Sequence, residues 1–165
     1  MSHNGRPRIL IVGAFSVGAE GRTGGTLAAC RQLVASPLAT IFDLVLVDTA
    51  AQSEAERRVA VRTMRAFLRV MRVGWLGLTG KLDAALLFSA NGFSWLERCT
   101  LVILLKLCGV RVLLFPRTGL VIDELTRSAL LRAYTTLAVR ASAGILCQGD
   151  RFRRDFERLC PAVGG

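Results

Sequence analysis

The sequence predicts an α/β domain built on a doubly wound parallel sheet. Five short apolar runs alternate with five longer stretches of helical periodicity, and the runs show little polar alternation. Strands that helices cover on both faces have this uniform character, and right-handed strand–helix–strand connections place them in a parallel sheet. We expect residues 1–165 to form one Rossmann-like domain, because a chain of this length suits a single core.

The first predicted strand shows the pattern most clearly. It reads RILIVG, with a proline before it and a glycine at its end. The predicted strands are Arg8–Gly13, Asp43–Asp48, Asp83–Ser89, Arg111–Phe115 and Gly144–Cys147. The predicted helices are Gly25–Val34, Glu54–Val73, Ser94–Cys108, Glu124–Ala141 and Arg151–Leu159.

The loops at the carboxyl ends of these strands are where we expect ligands to bind. In open α/β sheets, ligands lie beyond this edge, near the point where the strand order reverses. The loops in question are Ala14–Gly24, Thr49–Ser53, Ala90–Phe93, Pro116–Asp123 and Gln148–Asp150.

The formal net charge is +10, and arginine supplies nearly all of the cations, since Lys81 and Lys106 are the only lysines. Such a charge favours anionic partners: phosphate groups, acidic polysaccharide, anionic lipid or nucleic acid. The alternative is a genomic arginine bias without selection for binding. Nucleic acid is the least expected partner, because the sequence shows no nucleic-acid-binding motif and no aromatic stacking platform.

The five cysteines are scattered and show neither a CxxC pair nor zinc-ligand spacing, so we expect no metal site. Isolated cysteines in apolar surroundings are typical of buried thiols in a reducing compartment. The apolar run near the N-terminus is too short for a signal peptide, and no run approaches the ~20 apolar residues that span a bilayer. We therefore expect a cytoplasmic protein. Its basic charge also allows peripheral contact with the anionic lipids of the inner membrane face.

The loop after the first strand reads GAFSVGAEGRTGGT over residues 13–26 and allows three interpretations. A P-loop needs a GK[ST] ending, and this loop holds no lysine. A dinucleotide fingerprint needs GxGxxG in a tight turn, and the glycine spacing differs, although Asp48 stands where the ribose-binding acid would be. In the third, Gly24 and Gly25 bring a helix N-terminus close to a phosphate or sugar, and Arg22 adds a charged contact. A plain turn with positive φ is the structural alternative.

The order of these motifs resembles the N-terminal domain of the large retaining GT-B glycosyltransferase family that is numbered four. In that family too, the first strand leads through an extended loop ending in GG to a helix that begins with a small polar residue. The segment LDAALLFSANGFSWLERCTLVILLKLCGVRVLLFPRTGLVIDEL resembles the family's third strand, small-residue loop, long helix, fourth strand and glycine-containing loop. AGILCQGDRFRRDFERLCP resembles its fifth strand and the short helix before the interdomain linker. The likeness covers essentially the whole chain.

The resemblance implies half of an enzyme that transfers a sugar from a nucleotide-sugar donor in a cleft between two Rossmann-like domains. The family's N-terminal domain shapes the acceptor site, and its C-terminal domain, which we expect this chain to lack, holds the donor. By position, Gly24 and Gly25 would lie near the donor diphosphate. No metal and no cofactor beyond the nucleotide-sugar co-substrate are implied, because helix N-termini and basic side chains neutralise the leaving group. The family's pair of donor-binding glutamates is not found here, so we expect no transfer by this chain alone, and its catalytic residues are unknown.

Three further residues are assigned to the site by position. Many relatives carry a histidine in the loop after the fourth strand, whereas this loop reads FPRTGL and places Arg117 there. Arg117 would bind a phosphate of the donor or of a lipid-diphosphate acceptor, and an ordinary surface arginine is the alternative. Ser89 and Asn91 are candidate acceptor contacts, and capping of the next helix is the alternative for both. Ser94 is better explained as a helix N-cap, with Glu97 completing a capping box.

The helix predicted over Glu54–Val73 carries a stripe of arginines at helical spacing. The stripe comprises Arg58, Arg62, Arg65, Arg69 and Arg72. Another face, predicted to pack on the core, comprises Val59, Met64, Phe67, Leu68 and Met71. The stripe indicates contact with an anionic membrane or another polyanion, where each basic residue contributes ~1 kcal/mol. A solvated outer face of a doubly wound sheet is the alternative.

Two classes of function follow from the sequence. The first is the acceptor-binding half of a glycosyltransferase that acts on a lipid-linked or polysaccharide acceptor, as in cell-surface polysaccharide synthesis, together with a donor-binding domain or subunit. The second is a non-catalytic Rossmann-like module that binds a nucleotide, a polyanion or a partner protein. A neighbouring gene for a donor-type domain favours the first, and tight salt-sensitive binding to nucleic acid favours the second.

Overall fold

The described part of the chain forms one α/β sheet domain. A computed structural model describes residues 5–17, 25–50, 59–79 and 82–161. The strands are β1 (Arg8–Gly13), β2 (Asp43–Asp48), β3 (Ala84–Ser89), β4 (Arg111–Pro116) and β5 (Gly144–Ile145). The helices are α1 (Gly25–Ala35), α2 (Leu38–Ile41), α3 (Val59–Leu78), α4 (Phe93–Leu107), α5 (Leu120–Arg127), α6 (Ala129–Ala141) and α7 (Asp150–Leu159).

All five strands run parallel, in the order β2-β1-β3-β4-β5. From β1 the chain moves outward to β2, returns past β1 to β3, and then continues to β5. The strand order therefore reverses between the carboxyl ends of β1 and β3, which is where such sheets bind ligands. The predicted doubly wound, Rossmann-like parallel sheet is confirmed.

Alternate residues of β1 enter two separate apolar cores, one on each face of the sheet. Leu10 and Val12 belong to the larger core, which includes side chains of α3 to α7. Ile11 belongs to the smaller core, together with Cys30 of α1 and Phe88 of β3. Helices thus cover both faces, which explains why the strand sequences are apolar without alternation.

The end of β1 packs directly against α1 at Gly13. A Cβ on Gly13 would lie 2.5 Å from Sγ of Cys30 and 3.3 Å from the ring of Phe88. A larger side chain therefore does not fit unless its neighbours move. Gly13 therefore permits the close approach of α1 to the end of β1.

The helix predicted over Glu124–Ala141 is in fact two helices. Ser128 is extended and accepts a hydrogen bond from the N–H of Leu131, so it acts as the N-cap of α6. Helix α5 precedes this break and begins at Leu120, earlier than predicted. The error arose because the apolar periodicity continues across the serine without interruption.

The capping box predicted at Ser94 and Glu97 is wrong. Helix α4 begins at Phe93, with Gly92 as its N-cap, so Ser94 already lies inside the helix. The carboxylate of Glu97 forms ion pairs with two arginines instead. The N-terminus of α4 is capped from another helix, as described below.

Helix α3 packs on the domain through a different face from the one predicted. A Cβ on Gly74 would lie 2.8 Å from Cδ2 of Leu104 in α4, so the two helices approach closely. The buried positions of α3 hold small side chains or valine: Ala66, Val73, Gly74 and Gly77. The predicted core side chains are instead exposed: Met64, Phe67, Leu68 and Met71. The prediction is wrong because hydropathy marks large apolar side chains as core residues and overlooks the small residues that permit close packing of two helices.

Candidate functional site

The carboxylate of Asp48, at the carboxyl end of β2, holds the start of the loop that follows β1. Oδ1 accepts hydrogen bonds from the N–H groups of Phe15 and Ala50, each at 3.0 Å. Oδ2 accepts from the N–H of Ser16 at 3.1 Å and from its hydroxyl. Burial opposes ionisation of Asp48, but these hydrogen bonds outweigh it and hold the pKa below its ordinary value. Asp48, which stands where a ribose-binding acid would be, therefore uses both carboxylate oxygens in hydrogen bonds within its own domain.

Arg117, directly after β4, lies beside the N-terminus of α1. Its Nη2 donates to the carbonyl oxygen of Gly25 at 3.3 Å, and its guanidinium carbon lies 5.0 Å from the centroid of the Phe115 ring. Its backbone N–H donates to the carbonyl of Ser89 at 2.8 Å, which ties this loop to the end of β3. Its Nε–H is buried and has no acceptor within the part of the chain that the structure describes.

The fold does not itself require a glycine at position 25. A Cβ there would lie 3.7 Å from Nη2 of Arg117, which is an ordinary contact distance. Gly25 is the first residue of α1, where the first N–H groups of a helix have no intrahelical partner. Gly24 and Arg22, predicted to act with Gly25, lie outside the described residues.

The side chains of Ser89 and Asn91 make hydrogen bonds within the domain. The hydroxyl of Ser89 is buried and donates to the carbonyl of Ala90 at 3.0 Å, whereas Asn91 is half-buried. Nδ2 of Asn91 donates to Oε1 of Glu124 at 3.3 Å, and Oε2 of Glu124 accepts from the N–H of Gly92 at 2.8 Å. Gly92 has a φ of 61°, a conformation that favours glycine. Glu124 thus caps α4 from α5, and the acceptor contacts at Ser89 and Asn91 stay predictions.

A cavity of about 570 Å³ opens at the same edge of the sheet, between the loops that follow β4 and β5. The starts of α5 and α7 border it. Thr118 and Gln148 supply polar groups, and Asp123, Asp155 and Arg151 supply charges of both signs. The cavity has the volume of a small-molecule site, and both loops are among those predicted to bind ligands.

Helix α3 divides its arginines between the surface and an internal ion pair. Arg62, Arg65 and Arg72 are exposed, and the guanidinium of Arg62 lies 5.4 Å from the centroid of the Phe93 ring. Arg69 instead donates to both carboxylate oxygens of Glu97 in α4, at 2.8 and 3.0 Å. Arg69 thus belongs to an internal ion pair, and the contact of the arginine stripe with a membrane or another polyanion stays a prediction. Arg58 lies outside the described residues.

The ion pair continues to Arg98, whose side chain is almost fully buried between α4 and β3. Nη1 of Arg98 lies 2.9 Å from Oε1 of Glu97, and its Nε donates to the carbonyl of Phe88 at 3.0 Å. A buried guanidinium needs a counterion of this kind. Glu97 therefore joins α3, α4 and the end of β3 through two arginines. Sequence reasoning missed this cluster, and its only signal is an adjacent Glu-Arg pair inside a largely apolar helix.

These features define a Rossmann-like α/β domain with a polar, partly basic edge at the carboxyl ends of its strands. No protein family, curated protein sequence or solved structure matches the chain. No helix in the described ranges combines the length and the apolar character needed to cross a membrane. Among the described side chains, histidine, cysteine and acidic residues do not gather in any group of three or more suited to a metal ion.

Proposed function

We propose that this chain is the acceptor-side domain of a GT-B-type glycosyltransferase. Together with a donor-binding domain or subunit, it transfers a sugar from a nucleotide-sugar to a lipid-linked or polysaccharide acceptor. The observation that carries the proposal is the hydrogen bond from Arg117 to the carbonyl of Gly25, at the carboxyl edge of a parallel sheet. A cation beside a helix N-terminus is suited to a diphosphate, because both attract negative charge and both offer N–H donors.

The hydrogen-bonding capacity of Arg117 supports this role. A guanidinium has five N–H donors in a planar fork, which matches two phosphate oxygens at once. One donor of Arg117 reaches the carbonyl of Gly25, whereas its buried Nε–H meets no acceptor among the described residues. The ring of Phe115 lies beside the guanidinium, with its centroid 5.0 Å from the guanidinium carbon. A diphosphate at this position accepts hydrogen bonds from the guanidinium of Arg117 and contacts the first turn of α1.

The neighbouring cavity supports an acceptor site next to the diphosphate. Its volume of about 570 Å³ lies within the usual range for small ligands. Asp123, Gln148 and Asp155 offer oxygens and an amide to sugar hydroxyl groups. In this arrangement the chain works in the cytoplasm, at the inner membrane face when the acceptor is a lipid.

Calorimetric titration with inorganic pyrophosphate tests the diphosphate site on the chain itself. Arg117→Gln removes the cation, and we expect the dissociation constant to rise about tenfold, since a hydrogen bond to a charged group contributes ~1.5–3 kcal/mol. Arg117→Lys is expected to recover only part of the affinity, because lysine lacks the planar fork.

The matched control is Arg111→Gln, since Arg111 is exposed at the opposite, amino end of the same strand. It carries the same loss of charge and should leave the pyrophosphate affinity within about twofold at constant ionic strength. Equal weakening by Arg111→Gln and Arg117→Gln would mean that the whole basic surface attracts the anion. Such a result, or the absence of saturable binding, contradicts the proposed site.

A non-catalytic binding module is the second candidate. It is favoured by the engagement of Asp48 and Glu124, two acids near this edge, in hydrogen bonds to backbone N–H groups. A module of this kind binds pyrophosphate through Arg117 but supports no sugar transfer when a donor-binding domain is supplied. Turnover of a nucleotide-sugar by the combined domains decides between the two.

A further inference from the structure

Six large apolar side chains of α3 form a contiguous exposed surface, which we call the apolar face of α3. Each of them is between 57% and 73% exposed. They are Met64, Phe67, Leu68, Met71, Trp75 and Leu78. Because successive helical residues turn by about 100°, all six fall within about 100° of the helix circumference. Contiguous exposed apolar patches of this kind mark interaction sites in soluble domains.

Basic side chains border the apolar face on one side. Arg65 and Arg72 follow it around the helix, and Arg62 lies further round, toward α4. The other border is formed by the small buried residues that pack on α4, such as Gly74. Helix α3 therefore presents three sectors in order: one that packs on the domain, one that is apolar and exposed, and one that is basic and exposed.

We propose that α3 lies in the interfacial region of a membrane that contains anionic lipids. The apolar face inserts among the upper acyl chains, and the exposed arginines contact the lipid phosphates. Amphipathic helices with Trp, Phe and Leu on one side and arginine on the other bind membranes in this way. The indole of Trp75 combines an apolar ring with a polar N–H, which suits the boundary between the acyl chains and the headgroups. The apolar stems of the arginines lie along the same boundary, and their guanidinium groups reach outward to the headgroups.

An anionic bilayer fits this surface better than a second copy of the chain. Docking of two copies through the same face would bring two sets of arginines close together, which costs electrostatic energy. A bilayer supplies an apolar interior and negative headgroups in the same order in which α3 presents its apolar and basic sectors. Membrane binding through α3 does not depend on sugar transfer, so the two proposals stand or fall separately.

Co-sedimentation with vesicles tests this surface. The wild-type chain is expected to bind vesicles of phosphatidylglycerol and phosphatidylcholine more tightly than vesicles of phosphatidylcholine alone, with an affinity that falls as salt rises. Met64→Gln combined with Met71→Gln is expected to weaken binding at least about tenfold, because it places two polar groups in the inserted surface. Both methionines are exposed, so the thermal unfolding midpoint should stay unchanged.

The matched control is Leu130→Gln combined with Leu137→Gln on α6. These leucines are 83% and 56% exposed and have the same spacing of seven residues as the two methionines. The control should bind vesicles like the wild-type chain. Equal weakening by the two double variants would show that α3 is not the binding surface and would overturn the proposal.

Tryptophan fluorescence gives an independent readout, since the chain has two tryptophans and only Trp75 is exposed. Anionic vesicles should shift its emission to shorter wavelength, brominated lipids should quench it, and the Trp75→Phe variant should lose both effects. Arg62→Gln combined with Arg72→Gln should lower the ratio of affinities for anionic and neutral vesicles about tenfold. The proposal fails if anionic vesicles do not bind, or if the methionine variant instead converts a dimer into a monomer.

Discussion

Replacement of Glu97 by glutamine is expected to lower the free energy of unfolding by about 3 kcal/mol, because it leaves a buried arginine without its counterion. Glu97 is 4% exposed, and Arg98 beside it is 2% exposed. Arg69 contributes two further hydrogen bonds to the same carboxylate. Chemical denaturation at neutral pH measures the effect, and we expect a lower midpoint with an unchanged slope.

The exposed ion pair on α7 provides the control. Nε of Arg153 lies 3.5 Å from Oε1 of Glu157, one helical turn away, with both side chains in contact with solvent. Glu157→Gln should change the free energy of unfolding by less than about 0.5 kcal/mol. Similar losses in the two variants would contradict the structural role assigned to Glu97.

The same carboxylate makes stability depend on pH. Burial opposes ionisation of Glu97, but hydrogen bonds from Arg69 and the charge of Arg98 outweigh it, so the pKa of Glu97 lies below its ordinary value. The contribution is complete above the unfolded pKa of about 4.3 and is lost as pH falls from there through the folded pKa. The difference between wild type and Glu97→Gln should therefore shrink on acidification in that window.

Trp95→Ala is the second substitution with a large expected effect, a loss of about 3–5 kcal/mol in the free energy of unfolding. Trp95 is fully buried in α4, and its Nε1 donates to the hydroxyl of Thr135 in α6 at 2.9 Å. Its ring meets Phe156 of α7 edge-on at 5.9 Å between centroids. The alanine variant leaves a cavity where three helices meet and a buried hydroxyl without its donor. Calorimetry should show a fall in the unfolding midpoint of about 10 °C.

Trp75→Ala is the natural comparison, because it removes the same side chain from an exposed position. It should shift the unfolding midpoint by no more than about 2 °C, while it weakens vesicle binding. A large loss of stability in this variant would mean that the apolar face of α3 packs on the domain, contrary to the structure.

The strands were predictable because burial on both faces leaves a simple signature in the sequence. The run Arg8–Gly13, for example, was predicted and observed with the same limits. The packing of α3 was not predictable in the same way. Its contact with α4 uses Gly74 and Gly77, which hydropathy scarcely distinguishes from linker residues. The break at Ser128 was missed because one extended residue leaves the surrounding periodicity intact.

The candidate site was predictable only in part. Gly25 and Arg117 were selected from separate motifs, and the parallel sheet brings them together because the carboxyl ends of its strands share one edge. The contacts that shape this edge were missed, since Asp48 and Glu124 act on loops more than thirty residues away in the sequence. Such long-range hydrogen bonds depend on strand order, which a local pattern does not contain.

The central claim is that the edge formed by the start of α1 and the loop after β4 binds a diphosphate. Nuclear magnetic resonance of the ¹⁵N-labelled chain, titrated with inorganic pyrophosphate, tests it most directly, because each backbone N–H reports its own surroundings. We predict saturable shifts that are largest at Gly25, Arg117 and Thr118, and their loss in Arg117→Gln. Shifts that centre on α3 or on the amino ends of the strands, or that never saturate, would contradict the claim.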